Sequence, residues 1–330
     1  MDLLRIGLVG TGGMGTVHLS NYAYISNCKV VALCDRSPAA AEQAKNLGLP
    51  LYGDLAEMLR CEELDVVDVC TPTFLHKEHV MVALEAGKHV ICEKPLALKS
   101  ADATAMLDLA QQQGVALLVG QVLQYSMEAM VLRQLVQSQE YGKVLDASFL
   151  RLSACPRWVK NGWLFDKARS GHLPFDLHIH DLDLMVSLFG PPEGLRFTSC
   201  GRTGQDYREQ YRFTYLYPDK SVMAEAAWYN ADIPFTATWR VYFENAVVEN
   251  NGQTVVAHQF DHPPRVFDTE EPLKIPTGIN VPPTGMFYRE LCDFLEQIRA
   301  GVQGCPRREE LLTVIKILEE INLADEGQKA

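Results

Sequence analysis

The stretch "GLVGTGGMG", residues 7–15, decides how the first third of the chain is read. It places Gly10-x-Gly12-x-x-Gly15 after the apolar run "LLRIGLVG" and before "MGTVHLSNYAYI", a helix-like segment. Each glycine has a physical task. Gly10 permits the tight turn, Gly12 lets the backbone approach a pyrophosphate, and Gly15 allows a helix to pack closely on a strand. The helix start then presents unpaired N–H groups to phosphate oxygens. An acidic residue, Asp35, ends the next apolar run about 20 residues further on, where an acceptor for ribose hydroxyls belongs. The loop Gly10, Thr11, Gly12, Gly13, Met14 and Gly15, with Asp35, therefore predicts a dinucleotide site. Asp35 favours NAD, whereas the neighbouring Arg36 leaves NADP as the alternative.

Outward from this loop, six short apolar runs alternate with helical stretches through residue 120: "LLRIGLVG", "KVVALCD", "LPLYG", "LDVVDVC", "KHVICEK" and "VALLVG". Continuous Val/Ile/Leu runs separated by helices are the pattern of a parallel sheet covered on both faces. Ser37-Pro38 and Ser100 mark helix starts, and Gly48, Gly87 and Gly114 mark ends. After about residue 122 the pattern changes to strand-like runs joined by "YPDKS" and "ENNGQT", which read as hairpin turns. Two helices, near 283–300 and 307–324, close the chain. The expected architecture is α/β. A Rossmann doubly wound parallel sheet spans residues 1–122, and an α+β domain with a large, mostly antiparallel open sheet spans 123–330.

Composition narrows the functional classes. Hydrophobic residues make up 47% of the 330 and charged residues 22%, ordinary values for a globular chain. The formal charge of −12 argues against nucleic acid or an anionic membrane as partner. No apolar run approaches the roughly 20 residues needed to span a bilayer. The opening "MDLLRIGLVGTGGMG" reads as a first strand rather than a signal peptide. The nine cysteines are scattered without a CxxC pair, so buried, reduced thiols in a cytoplasmic protein are expected.

Three segments fall at the carboxyl ends of predicted strands, where open α/β sheets bind ligands: "CTPTFLHKEH", "CEKPLA" and "VGQVLQY". In the second, Lys94 is either a surface charge or a functional amine. Further on, "PFDLHIHDLDL" (174–184) gathers two histidines and three aspartates. Read as an α-helix, it puts Asp176, His180, Asp183 and Ser187 on one polar stripe, while His178 and Asp181 point elsewhere, at about 100° per residue. Helical spacing splits the HxH pair, and no further His/Cys cluster is evident, so no metal is expected. Asp176 and His180 are either a helix cap and a satisfied core histidine, or a working pair.

Taken in order, these features resemble the Gfo/Idh/MocA oxidoreductases, a family that includes glucose–fructose oxidoreductase and inositol dehydrogenase. The matching features are the glycine loop with its acid, "TPT…H" (Thr71, Pro72, Thr73, His76), "EKP" (Glu93, Lys94, Pro95), D-x-x-x-H (Asp176, His180) and the closing helix "CPRREELLTVIKILEEINLADEG". The resemblance covers essentially the whole chain. It implies a tightly held nicotinamide cofactor near Thr71, Pro72, Thr73, His76, Glu93, Lys94 and Gln121, and oxidation of a ring hydroxyl of a sugar, glycoside or cyclitol. It also implies that Asp176 and His180 face the nicotinamide opposite Lys94, and that homodimers or homotetramers form through the C-terminal sheet. On this reading His180 is the general base, since an imidazole ordinarily titrates near neutral pH. Lys94 steadies the developing alkoxide, and Asp176 orients the substrate.

Where the family often carries a basic residue, Gln121 and Gln124 stand, and glutamines suit neutral hydroxyls. Tyr125 and Trp163 are substrate-contact candidates, with Trp158, Arg151, Lys160 and Lys167 further out on the rim. His172 has no assigned role. Two other activities use the same fold: a redox-neutral, NAD-dependent glycoside hydrolase and a non-catalytic NAD(P)-binding regulator. A regulator has no need of the Lys94, Asp176 and His180 set.

Overall fold

The computed structural model describes residues 3–327, with the side chains of Lys160 and residues 326–327 excepted. In chain order the first elements are β1 (Leu4–Val9), α1 (Gly13–Tyr22), β2 (Cys28–Cys34), α2 (Pro38–Leu47), β3 (Leu51–Tyr52) and α3 (Leu55–Cys61). They are followed by β4 (Val66–Val69), α4 (His76–Glu85), β5 (His89–Glu93), α5 (Ser100–Gln113) and β6 (Leu117–Gly120). Next come α6 (Met127–Ser138), β7 (Val144–Ala154), α7 (Lys167–Ser170), α8 (Ile179–Phe189), β8 (Gly194–Cys200), β9 (Gln210–Leu216) and β10 (Ser221–Tyr229). The chain ends with β11 (Thr236–Phe243), β12 (Val247–Asn250), β13 (Val255–His258), β14 (Arg265–Phe267), α9 (Met286–Arg299) and α10 (Arg308–Gly327).

The chain forms two compact units. One comprises the residues up to Val122 together with Pro272–Ile315; the other comprises Leu123–Glu271 together with the segment from Lys316. The first is built on a six-stranded sheet of order β3-β2-β1-β4-β5-β6, parallel throughout. All six predicted strands are present. β4 and β6 are buried along their whole length, as a sheet covered on both faces requires. Helix punctuation follows the expected chemistry: Pro38 opens α2 behind Ser37, and Gly48 and Gly114 end α2 and α5 in left-handed geometry.

The segment 272–315, expected within the second domain, belongs to the first unit. Gly304 bridges to Ala116, and Leu311, Leu312 and Ile315 join the core formed by Val67, Val69, Val90, Cys92, Leu117 and Val119. The sheet's apolar face needs that cover, which the residues before 122 leave incomplete.

The second unit carries an eight-stranded sheet of order β14-β13-β12-β11-β7-β10-β9-β8. Its neighbours are antiparallel except β10 and β7, which run parallel. Alternating burial along β9 and β11 gives one core face and one open face. None of the cysteines forms a disulfide among the described residues; Cys28, Cys34, Cys70 and Cys92 are buried, but Cys61 and Cys200 are exposed, contrary to the expectation for all nine. No described helix is long and apolar enough to cross a membrane.

Candidate functional site

The glycine loop has the geometry its sequence demands. Gly10 has φ +89°, and a Cβ there would stand 2.8 Å from the Cys70 carbonyl oxygen. A Cβ on Gly15 would stand 2.0 Å from the Gly10 oxygen, so any side chain would force α1 off β1. At Gly12, by contrast, a Cβ would meet nothing within 4 Å, which leaves the backbone open to a close-approaching group. Met14 packs beside Val17, Val122 and Phe287, and the nearest atom to a Cβ on Gly13 belongs to Ile279, so residues 272–315 brace the loop.

Asp35 Oδ2 accepts from the Thr11 N–H at 2.7 Å and hydroxyl at 3.0 Å, while Oδ1 accepts from the Ser37 N–H at 2.7 Å. Burial alone would raise the Asp35 pKa, but the hydrogen bonds from Thr11 and Ser37 outweigh it and hold the group ionised. The open backbone at Gly12, the helix start and this fixed acceptor fit a dinucleotide. The exposed Arg36 side chain is anchored on the Gly53 carbonyl at 2.8 Å.

Thr71, Pro72, Thr73 and His76 follow β4, Glu93 ends β5, beside it in the sheet, and Lys94 comes next. His76 is buried, with Nδ1 2.8 Å from the Pro95 carbonyl oxygen and Nε2 2.8 Å from that of Thr71. The ring therefore sits between the loop after β4 and the loop after β5. Burial lowers its pKa, and the two carbonyls only partly oppose this. Lys94 is half-buried between Glu93 and Pro95. Gln121, just past β6, is buried, and its Oε1 has no hydrogen-bond partner among the described residues.

Beneath this rim lies a cluster that the sequence reading missed. His18, on α1, is fully buried with Nδ1 2.8 Å from Asp68 Oδ2 and Nε2 3.2 Å from Glu93 Oε1. Tyr22 donates its hydroxyl to Asp68 Oδ2 at 2.8 Å, and Cys70 Sγ stands 3.4 Å from His18 Nδ1. Burial opposes a charge on His18, yet Asp68 and Cys70 together raise its pKa well above the ordinary imidazole value. Glu290, on α9, is fully buried with neither carboxyl oxygen partnered among the described residues. Burial, then the charge of Glu93, raises its pKa well above the usual carboxylate range, so it stands protonated. One signal was available: Asp68 lies inside "VVDV", a strand buried on both faces, and such an acid requires a partner.

In the second unit, the opening of the D-x-x-x-H segment is not α-helical. Pro174–His178 form one π-helical turn, with the Ile179 N–H bonded to the Pro174 carbonyl, before α8 begins. The wider turn replaces the uniform spacing assumed for the polar stripe. Asp176 and His180 are half-buried, whereas His178, Asp181 and Asp183 are buried. Arg151 grips Asp181 through Nε at 2.9 Å and Nη2 at 2.8 Å, which takes Arg151 out of the proposed rim. Gln124 donates to Asp183 and accepts from Arg133, so its amide is not offered to a substrate hydroxyl.

His178 stacks on Phe213 at 4.0 Å, and its Nε2 shares a 2.6 Å hydrogen bond with the Tyr215 hydroxyl. Burial, reinforced by the Arg151 charge, pushes its pKa down to about 3. Tyr125 and Trp163 are half-buried, Trp158 is 72% exposed, and Lys167 Nζ donates to the Asn322 carbonyl at 2.7 Å. The Lys160 side chain lies outside the described residues. His172 is a buried packing residue, with Nε2 3.1 Å from the Phe165 carbonyl oxygen and its ring edge-on to Tyr207.

A glycine-loop Rossmann unit with a ribose acceptor, joined to a unit with an open sheet, defines a two-part protein of the dinucleotide-binding class. Residues 4–121 match the oxidoreductase family with an NAD-binding Rossmann fold, and residues 130–249 match the GFO/IDH/MocA C-terminal domain. The chain belongs to the Gfo/Idh/MocA family. It is 34% identical over 195 residues to the D-glucoside 3-dehydrogenase of Escherichia coli K12, covering 57% of this chain and 55% of that protein. It is 33% identical over 191 residues to the glucose-6-phosphate 3-dehydrogenase of Bacillus subtilis 168, covering 56% and 53%. The chain thus matches about half the length of these curated relatives. Its fold is also that of a levoglucosan dehydrogenase solved with NADH and levoglucosan, with a TM-score of 0.83 at 21% identity, covering 100% of this chain and 98% of that one.

Proposed function

We propose that the protein is an NAD-dependent dehydrogenase that oxidises a ring hydroxyl of a neutral sugar, glycoside or cyclitol. The observation that carries this reading is the rim of the first unit. There the open backbone at Gly12, the ionised Asp35 and the half-buried Lys94 all belong to one parallel sheet's carboxyl edge. When bound, the nicotinamide supplies the two-electron acceptor. Asp35 receives ribose hydroxyls and repels a 2′-phosphate. An imidazole nitrogen of His180 takes the substrate's hydroxyl proton, the Lys94 ammonium donates to the same oxygen as negative charge grows, and Asp176 holds a neighbouring hydroxyl. Gln121 keeps one unpartnered carbonyl oxygen for a neutral donor, although Gln124 is committed to Asp183. The open sheet face of the second unit would join copies into a homodimer or homotetramer, a state that light scattering reads directly.

Lys94→Ala and His180→Ala should each lower turnover by roughly 10²–10⁴-fold while NAD affinity, read by calorimetry, stays within a few-fold. Undiminished turnover in either variant would refute its role. Asp35→Ser should shift the NAD-over-NADP preference by about tenfold or more toward NADP; an unchanged ratio would remove Asp35 from cofactor selection.

A further inference from the structure

Lys94 stands between two residues that are each held by a buried histidine. His76 Nδ1 lies 2.8 Å from the carbonyl oxygen of Pro95, which follows Lys94. On the other side, Glu93 Oε2 accepts the Lys94 backbone N–H at 3.1 Å, and Glu93 Oε1 lies 3.2 Å from His18 Nε2. Gly120 lies beside this carboxylate, where a Cβ would stand in ordinary contact, 3.4 Å from Glu93 Oε1. A carboxyl group that is 5% exposed needs such partners for its oxygens.

We propose that His18 is a positioning residue: fixed between Asp68 and Glu93, it aims the Glu93 carboxylate that anchors the backbone of Lys94, and so sets where the Lys94 ammonium stands. The inference rests on the role given to Lys94 above. Every group facing His18 fits it. Asp68 comes from β4 and Cys70 from just past it, Glu93 and the Cys92 thiol from β5, Tyr22 from its own helix, and the protonated Glu290 from α9. Both ring nitrogens meet carboxylate oxygens, so both carry protons, and one imidazolium bridges two anions. The 2.8 Å separation of Nδ1 from Asp68 Oδ2 is a hydrogen-bond length and shorter than two ligands of one tetrahedral zinc would adopt.

Two substitutions separate positioning from mere structural support. His18→Gln places an amide donor where Nε2 stood and retains the contact to Glu93. His18→Asn places one where Nδ1 stood and retains only Asp68. Both lose the shared cation and keep one neutral hydrogen bond, so a purely structural role predicts similar losses in each. Positioning predicts that His18→Asn lowers kcat roughly 10- to 100-fold with KM nearly unchanged, and that His18→Gln recovers most of it. The same pair is read without turnover by reductive methylation of the lysines with a 13C label, the Lys94 resonance being assigned by its loss in Lys94→Ala. The Lys94 signal should move in His18→Asn and stay in His18→Gln. Equal displacement in both variants, or in neither, overturns the proposal. If His18→Asn does not fold, Glu93→Gln takes its place on the NMR reading, and an unmoved Lys94 signal overturns the proposal equally. A wild-type protein that oxidises no polyol would overturn the dehydrogenase reading alone, because the lysine resonance still decides the positioning.

Discussion

His18 and His178 are both fully buried, one in each unit, and they end in opposite charge states. His18 has a carboxylate oxygen at each ring nitrogen and carries a proton on both. His178 has a phenol hydroxyl at Nε2, no partner for Nδ1 among the described residues, an aromatic ring against its face and an arginine nearby, and it stays neutral. Burial is common to both, so burial cannot decide the charge. The partners decide it, because two buried carboxylates are costlier without a cation than one imidazolium is with them. The contrast also separates surroundings: the charged histidine contacts Glu93, next to Lys94, while the neutral one packs the π turn before α8 against β9.

The largest effect is expected from His18→Leu, which leaves Asp68 and Glu93 without their shared cation. Urea unfolding at pH 7 should show a loss of about 3–5 kcal/mol, or no folded protein. A loss below about 1 kcal/mol would mean that His18 is neutral and the contrast false. Glu290→Gln sharpens the same side. Its native pKa is raised, so the folded protein holds a proton that the unfolded chain releases above its ordinary value, and wild-type stability falls as pH rises through that window. The glutamine variant escapes this loss. It should match wild type near pH 4 and exceed it by a margin that grows as the pH rises toward 7. A variant less stable than wild type at every pH would show Glu290 to be ionised.

His178→Phe probes the other side. With a native pKa depressed to about 3, the unfolded chain binds the extra proton below its own value near 6.5, so this residue costs the wild type about 2 kcal/mol between pH 7 and pH 5. Phenylalanine should remove that portion of the acid sensitivity, at the expense of an unpaired Tyr215 hydroxyl. If the two proteins keep parallel stability curves from pH 7 to 5, His178 is charged in the fold. The smallest change is expected from Tyr22→Phe, which removes one donor to Asp68 but leaves His18 in place. A loss of about 1.5 kcal/mol in thermal or urea unfolding is expected; a loss as large as that of His18→Leu would make the phenol, not the imidazolium, the partner of Asp68.

What the sequence made legible follows the range of the interactions involved. The glycine loop, its acid and the six strands are local patterns whose physical requirements are written in consecutive residues, and they stand in the structure as expected. His178 and Asp181 are buried and Asp176 and His180 half-buried, but the α-helical spacing from which the two pairs were separated does not hold across Pro174–His178. The π turn at Pro174–His178 was not legible, because apolar spacing around a proline does not distinguish it from an α-helical start. Gln124, Arg151 and Lys167 read as open polar groups until Asp183, Asp181 and Asn322, distant in sequence, claim them. The return of 272–315 to the first unit is likewise a long-range choice, made by the uncovered face of a sheet nearly 200 residues earlier. His18 was not legible because its acids lie 50 and 75 residues away in sequence.

The proposed dehydrogenase moves electrons from a sugar-type hydroxyl to NAD. It is tested most directly by incubating the purified protein with NAD, and separately NADP, against a panel of neutral sugars, glycosides and cyclitols while following the absorbance of reduced nicotinamide. The account predicts reduced NAD with at least one neutral polyol, faster than reduced NADP, and abolished in Lys94→Ala. Glycoside cleavage without net reduced cofactor, or NAD binding with no reduction by any member of the panel, would contradict it.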